Sequence, residues 1–70
     1  MEFNAAITPT QIHEMQGVFD TIVAQPWFYD TEDSRQEVSN IVMHNFRLGH
    51  VHEDDLLRVC LKISRQRLSK

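Results

Sequence analysis

The stretch Leu56 to Leu68, LLRVCLKISRQRL, constrains the fold more than any other part of the chain. Wound as a helix at about 100° per residue, it places Val59, Ile63, Leu56, Cys60, Leu57, Leu68 and Leu61 on one continuous apolar arc of about 200°. The opposite side carries Arg58, Lys62 and Arg65, spaced i, i+4, i+7, as a narrow basic stripe. A helix apolar over half its circumference needs cover on two sides, from two other segments of its own chain or from another subunit. The expectation is therefore an all-α protein in which this helix is the most buried element.

Two further helices can be read from their ends. Thr8, Pro9, Thr10 and Gln11 spell an N-cap threonine, a proline at the first helical position and a capping-box glutamine, with Ile7 and Ile12 at the positions of a hydrophobic staple. From Pro9 to about Gln25, Ile12, Met15, Val18, Phe19, Ile22 and Val23 share a face about 140° wide, with His13, Glu14, Gly17, Asp20 and Thr21 turned away. Pro26 ends this helix by driving its predecessor out of the α region. A second helix is expected from Ser34, where Ser34 and Glu37 match a capping box, through Val38, Ile41, Val42, Phe46 and Leu48, to a left-handed glycine at Gly49. The acidic run Glu53, Asp54, Asp55 then opens the third helix. The expected helices are 9–25, 34–48 and 53–67, a small three-helix bundle and a single domain over 1–70, preceded by an arm at residues 1–7 that brings Phe3 and Ile7 to the bundle.

Size makes such a bundle marginal. A chain of 70 residues buries only about 60% of the surface its unfolded form exposes. With one cysteine there is no intramolecular disulfide, and HExxH, CxxC and paired-histidine helix spacings are all missing around His44, His50 and His52. No metal or other cofactor is expected, and Cys60, central on the apolar arc, reads as an inert core residue. The missing stability is then expected from close helix packing or from a homodimer. Asn45, in the middle of the second helix's apolar face, must find a partner, either a backbone carbonyl, a side chain or its symmetry mate. Asn45 is thus a candidate for self-association, with Leu57, Leu61 and Leu68 on the wide arc.

Charge is distributed unevenly. Residues 1–55 hold ten acidic and two basic residues, and residues 56–70 hold five basic residues and no acid, for a net charge of −3. The acid excess speaks against general affinity for nucleic acid. The basic tail keeps open a weak, salt-sensitive form of it through Arg58, Lys62 and Arg65. A helix-turn-helix reading fails, because the first turn of the would-be recognition helix bears Glu53, Asp54 and Asp55, which phosphates repel. Aligning Gly49 with the motif's turn glycine also puts His50, Asp55 and Arg58 where buried apolar residues belong. The N-terminus MEFNAAITP has no basic residue and no long apolar run, so neither a secretory signal nor a membrane span is expected, and the cytoplasm is the expected location.

Between the first two helices, Pro26, Trp27, Phe28, Tyr29, Asp30 and Thr31 hold three of the six aromatic residues. Three consecutive aromatics cannot all point inward, so Trp27, Phe28 and Tyr29 are candidates either for plugging the bundle's open end or for a partner contact. Gly17 and Gly49 are the only glycines, so no phosphate loop exists, and three short helices offer no pocket for a nucleophile, base and oxyanion site. The expectation is a non-enzymatic, self-associating regulatory or adaptor module, binding a protein partner through the aromatic loop and the stripe Arg58, Lys62, Arg65, with no small-molecule substrate.

Val18, Phe19 and Asp20 in the first helix, Phe46 to Gly49 (FRLG) at the end of the second, and the acidic run leading into Leu56 and Leu57 resemble a group of short uncharacterised helical proteins of rhizobia and related alphaproteobacteria. The likeness covers about residues 10–57 and rests on helix-boundary and core positions. It implies a bacterial, cytoplasmic, helical protein and transfers no site residues. The aromatics at Pro26 to Tyr29 and the length of the last helix depart from that pattern.

Overall fold

The computed structural model describes residues 7–69; the arm at residues 1–6 lies outside the described residues, and Ile7 packs partly buried against the core. Three helices, α1 (Pro9–Val23), α2 (Glu32–Arg47) and α3 (Glu53–Leu68), form an all-α three-helix bundle in which each packs on the other two.

The helix ends follow local chemistry. At α1 the capping box is complete: Gln11 N–H donates to Thr8 Oγ1 (3.1 Å) and Thr8 N–H donates to Gln11 Oε1 (3.0 Å). The far end arrives two residues before the expected Gln25. Pro26 has no N–H to continue the ladder, and the chain tightens instead, with Gln25 N–H donating to the Ile22 carbonyl three residues back (3.2 Å). The start of α2 also differs from expectation. Thr31, extended at φ −130 and ψ 166, is the N-cap and accepts Ser34 N–H on Oγ1 (3.0 Å), so Ser34 lies inside the first turn instead of capping it. Glu32 and Asp33 occupy that turn and complement the helix dipole. At the end of α2, Gly49 takes φ 112, His50 N–H reaches the Asn45 carbonyl (3.2 Å) and Gly49 N–H the Phe46 carbonyl (3.1 Å). These two bonds make a Schellman motif, which requires a left-handed residue at Gly49.

The core is built from Met15, Val18 and Ile22 of α1, Val38, Ile41, Val42 and Phe46 of α2, Leu56 and Cys60 of α3, and Phe28 of the connecting loop. Several expected core assignments are corrected. Ile12 and Leu48 are exposed, at 53% and 64%. Leu48 is the C-cap, where the chain is already leaving the helix face. Gly17 does not face away: a β-carbon there would stand 3.3 Å from Glu53 Oε2, so the start of α3 rests against it. Nor is α3 the most buried helix. It buries Leu56, Cys60 and Ser64, whereas α2 buries five residues. The two neighbouring helices seal only a central seam of the wide arc, and Leu57, Leu61 and Leu68 on one side and Val59 and Ile63 on the other stay partly buried. Ser64, a polar residue, is also in that seam, and its hydroxyl has no hydrogen-bond partner among the described residues.

Candidate functional site: a basic groove beside Trp27

The loop between α1 and α2 is fixed at both ends. Phe28 N–H donates to the Gln25 carbonyl (3.0 Å), closing a four-residue turn with Pro26 at its second position. Asp30 receives Arg35 in a two-pronged pair, Nε to Oδ1 at 2.7 Å and the terminal amine to Oδ2 at 3.1 Å, which holds Asp30 below the usual carboxylate range. Phe28 is buried at 6% exposure, and its backbone pairs antiparallel with that of Ser69 just beyond α3. The end of α3 is thereby tied to the loop. Trp27 stands edge-on to Phe28, with ring centroids 6.4 Å apart and planes at 72°, and is left partly buried against α3.

This arrangement brings Trp27 to the basic stripe. Trp27, Leu61, Arg58, Lys62 and Arg65, with Gln25, Gln66 and Ser69, line one open groove of about 610 Å³. Of the residues expected at a partner contact, Trp27 and all three cations meet here. Phe28 faces the core and anchors Trp27, while Tyr29, 58% exposed, is not among the lining residues. Gln25, Gln66 and Ser69 were not foreseen, since each is an ordinary polar residue until the fold places it at the rim.

The cations differ in their engagements. Arg58 is paired with Asp55, whose other oxygen lies 2.6 Å from His50 Nδ1. The hydrogen bond from His50 first, and then electrostatic attraction to His50 and to Arg58, hold the Asp55 carboxyl below its ordinary range despite some desolvation. Lys62 and Arg65 have no ion-pair partner among the described residues. Arg67 turns to the other flank of α3 and meets Glu37 Oε2 of α2 at 3.1 Å.

Two smaller grooves follow the other helix junctions. One of about 350 Å³ between α2 and α3 is lined by Asn40, His44, Asn45 and Ile63 with the Glu37–Arg67 pair. The other, about 310 Å³ between α1 and α2, is lined by Ile12, Met15, Phe19, Val42 and Met43 with Gln16 and Ser39 and carries no charge.

Of the four self-association candidates, Leu57, Leu61 and Leu68 lie partly buried on one side of the α3 arc, and Asn45 is buried on α2. Asn45 is 5% exposed and donates its amide to the Ile41 carbonyl of its own helix (2.8 Å), so its bonding is satisfied within one chain. Leu61 lines the basic groove, and Leu57 and Leu68 pack partly buried against the core. Cys60 is fully buried, its thiol pushed up to about 11 by burial, with Sγ 3.9 Å from the same Ile41 oxygen. Among the described residues no group of three or more His, Cys, Asp or Glu side chains is placed to hold a metal ion, and no helix is long and apolar enough to cross a membrane.

No protein-family model, no curated protein and no solved structure matches the chain.

Proposed function

We propose that the protein is a non-enzymatic interaction module, a regulatory or adaptor protein, whose working surface is the groove between Trp27 and α3 and whose partner is an acidic protein. The observation that carries this reading is the coincidence of a partly open tryptophan with two cations, Lys62 and Arg65, that have no ion-pair partner among the described residues, on a chain of net charge −3. Aromatic and arginine side chains are the usual anchors of protein interfaces, and cations with no internal partner steer an oppositely charged surface towards them. The self-associating form of the reading, a homodimer on the wide arc, has less support. Every apolar residue of that arc is at least partly covered within one chain.

The test is a titration of the isotope-labelled protein with an oligo-glutamate peptide at low ionic strength. Expected are amide shifts confined to Gln25, Trp27 and the Arg58 to Ser69 segment, lost with added salt and lost in Lys62→Glu/Arg65→Glu. Shifts spread evenly over the surface, or none, would remove the reading. The second reading is weak nucleic-acid binding through the same three cations, favoured by their alignment on one helix face. A single-stranded oligonucleotide that outcompetes the peptide would put it first.

A further inference from the structure

Arg58, Lys62 and Arg65 fall four and then three residues apart on one helix, so their positions along α3 are separated by about 6 Å and then about 4.5 Å. A second helix bearing carboxylates at the same spacing repeats both intervals. An extended strand offers a single repeat of about 6.6 Å between residues on one side, which drifts out of step over the length of the stripe. Between the cations and the loop, Leu61 and Trp27 leave an apolar gap suited to one hydrophobic side chain. Two sides of α3 are occupied by α1 and α2, and this groove runs along a third.

We infer that the groove receives an acidic amphipathic helix of about two turns from another protein, laid along α3 as a fourth helix. Its carboxylates meet Arg58, Lys62 and Arg65, and one apolar side chain enters between Trp27 and Leu61. The inference rests on the reading of the groove as an interface for an acidic protein and adds the form of the partner. A second copy of this chain does not supply such a stripe. Glu53, Asp54 and Asp55 are consecutive and so spread around their helix, and of Asp33 and Glu37, spaced by four, Glu37 is already held by Arg67. A broad polyanion such as duplex DNA laid along α3 would also meet the exposed carboxylate of Asp54 one turn before Arg58, which a two-turn helix avoids.

The experiment compares two tryptophan-free, side-chain-bridged helical peptides of identical composition. One carries glutamates at i, i+4, i+7 beside a leucine on the same face; in the other the same residues are reordered around the helix. Trp27 is the chain's one tryptophan, so its emission reports occupancy of the groove directly. The striped peptide is expected to bind at least about tenfold more tightly than the reordered one, a difference of about 1.4 kcal/mol. Arg65→Glu, an exposed position whose fold is checked by circular dichroism, is expected to remove that preference, and Trp27→Phe, whose binding is read by titration calorimetry, to weaken binding while keeping it.

Equal affinity for the two peptides would overturn the helical partner and leave the acidic-protein reading standing. Failure of both peptides and of oligo-glutamate to alter Trp27 would overturn both. Tighter binding of a single-stranded oligonucleotide of equal charge, or of anionic lipid vesicles, would overturn the inference in favour of that partner.

Discussion

Arg65 and Arg67 stand two residues apart on α3, on opposite flanks of the same helix. On the α2 side Arg67 finds Glu37, and the adjoining groove closes over Ile63 and Asn45 with its cation engaged. On the loop side Arg65 and Lys62 find an indole, two amides and a serine but, among the described residues, no carboxylate, and their groove is nearly twice as large. The lesson is that residue type does not decide whether a surface cation belongs to the fold or to a partner. The neighbouring element decides, by offering an acid or withholding one. α2 has an acid at the right turn, and the loop spends its one acid, Asp30, on Arg35.

The contrast can be broken or sharpened by mutation. The largest effect is expected from Leu56→Ala, which hollows the sealed seam on which both flanks depend. A fully buried leucine lost to alanine costs about 2–5 kcal/mol, and a domain this small has little more than that to lose. Urea unfolding followed by circular dichroism should show the transition moved far down or abolished. A midpoint near that of the parent would mean the seam does not hold the flanks apart. Ser64→Ala should act in the opposite direction, stabilising by about 1 kcal/mol, because it removes a buried hydroxyl that has no partner and improves helix propensity at the same site. Unchanged or reduced stability in the same assay would show that the hydroxyl is satisfied in solution.

The smallest effects separate the flanks themselves. Arg67→Gln should cost a few tenths of a kcal/mol and at most about 1, since its pair with Glu37 is largely exposed. Arg65→Gln should leave stability within about 0.5 kcal/mol while weakening the response to oligo-glutamate. If both variants destabilise equally, or if both weaken binding equally, the two flanks are not different in kind.

Much of this architecture could be read in the sequence because helix ends are written in short-range chemistry. Thr8 with Gln11, Pro26 and Gly49 each act through bonds to residues no more than a few positions away, and each marks its helix end to within two residues. The start of α2 was harder, since Thr31 and Ser34 both offer an N-cap hydroxyl followed three residues later by a polar residue. The choice fell to Thr31, with Arg35 reaching back to Asp30, and left Glu37 free to meet Arg67 thirty residues on. What the sequence could not show was tertiary. Ser64 entered the seam and Gly17 met Glu53 because of how helices lie against each other, which no single-helix periodicity contains. The groove was legible as two separate ingredients, an aromatic loop and a basic stripe. The packing of α1 on α3 and the pairing of Phe28 with Ser69 bring them together.

The burial of Cys60 gives the chain a built-in record of time. Its sulfur sits between α2 and α3 beside the Ile41 carbonyl, unreactive while those helices are together. An alkylating reagent can consume it only during the moments when α3 has parted from its neighbours, so the pace of modification counts openings of the bundle one molecule at a time. A partner that settles along α3 and keeps it in place would slow that count without ever touching the sulfur.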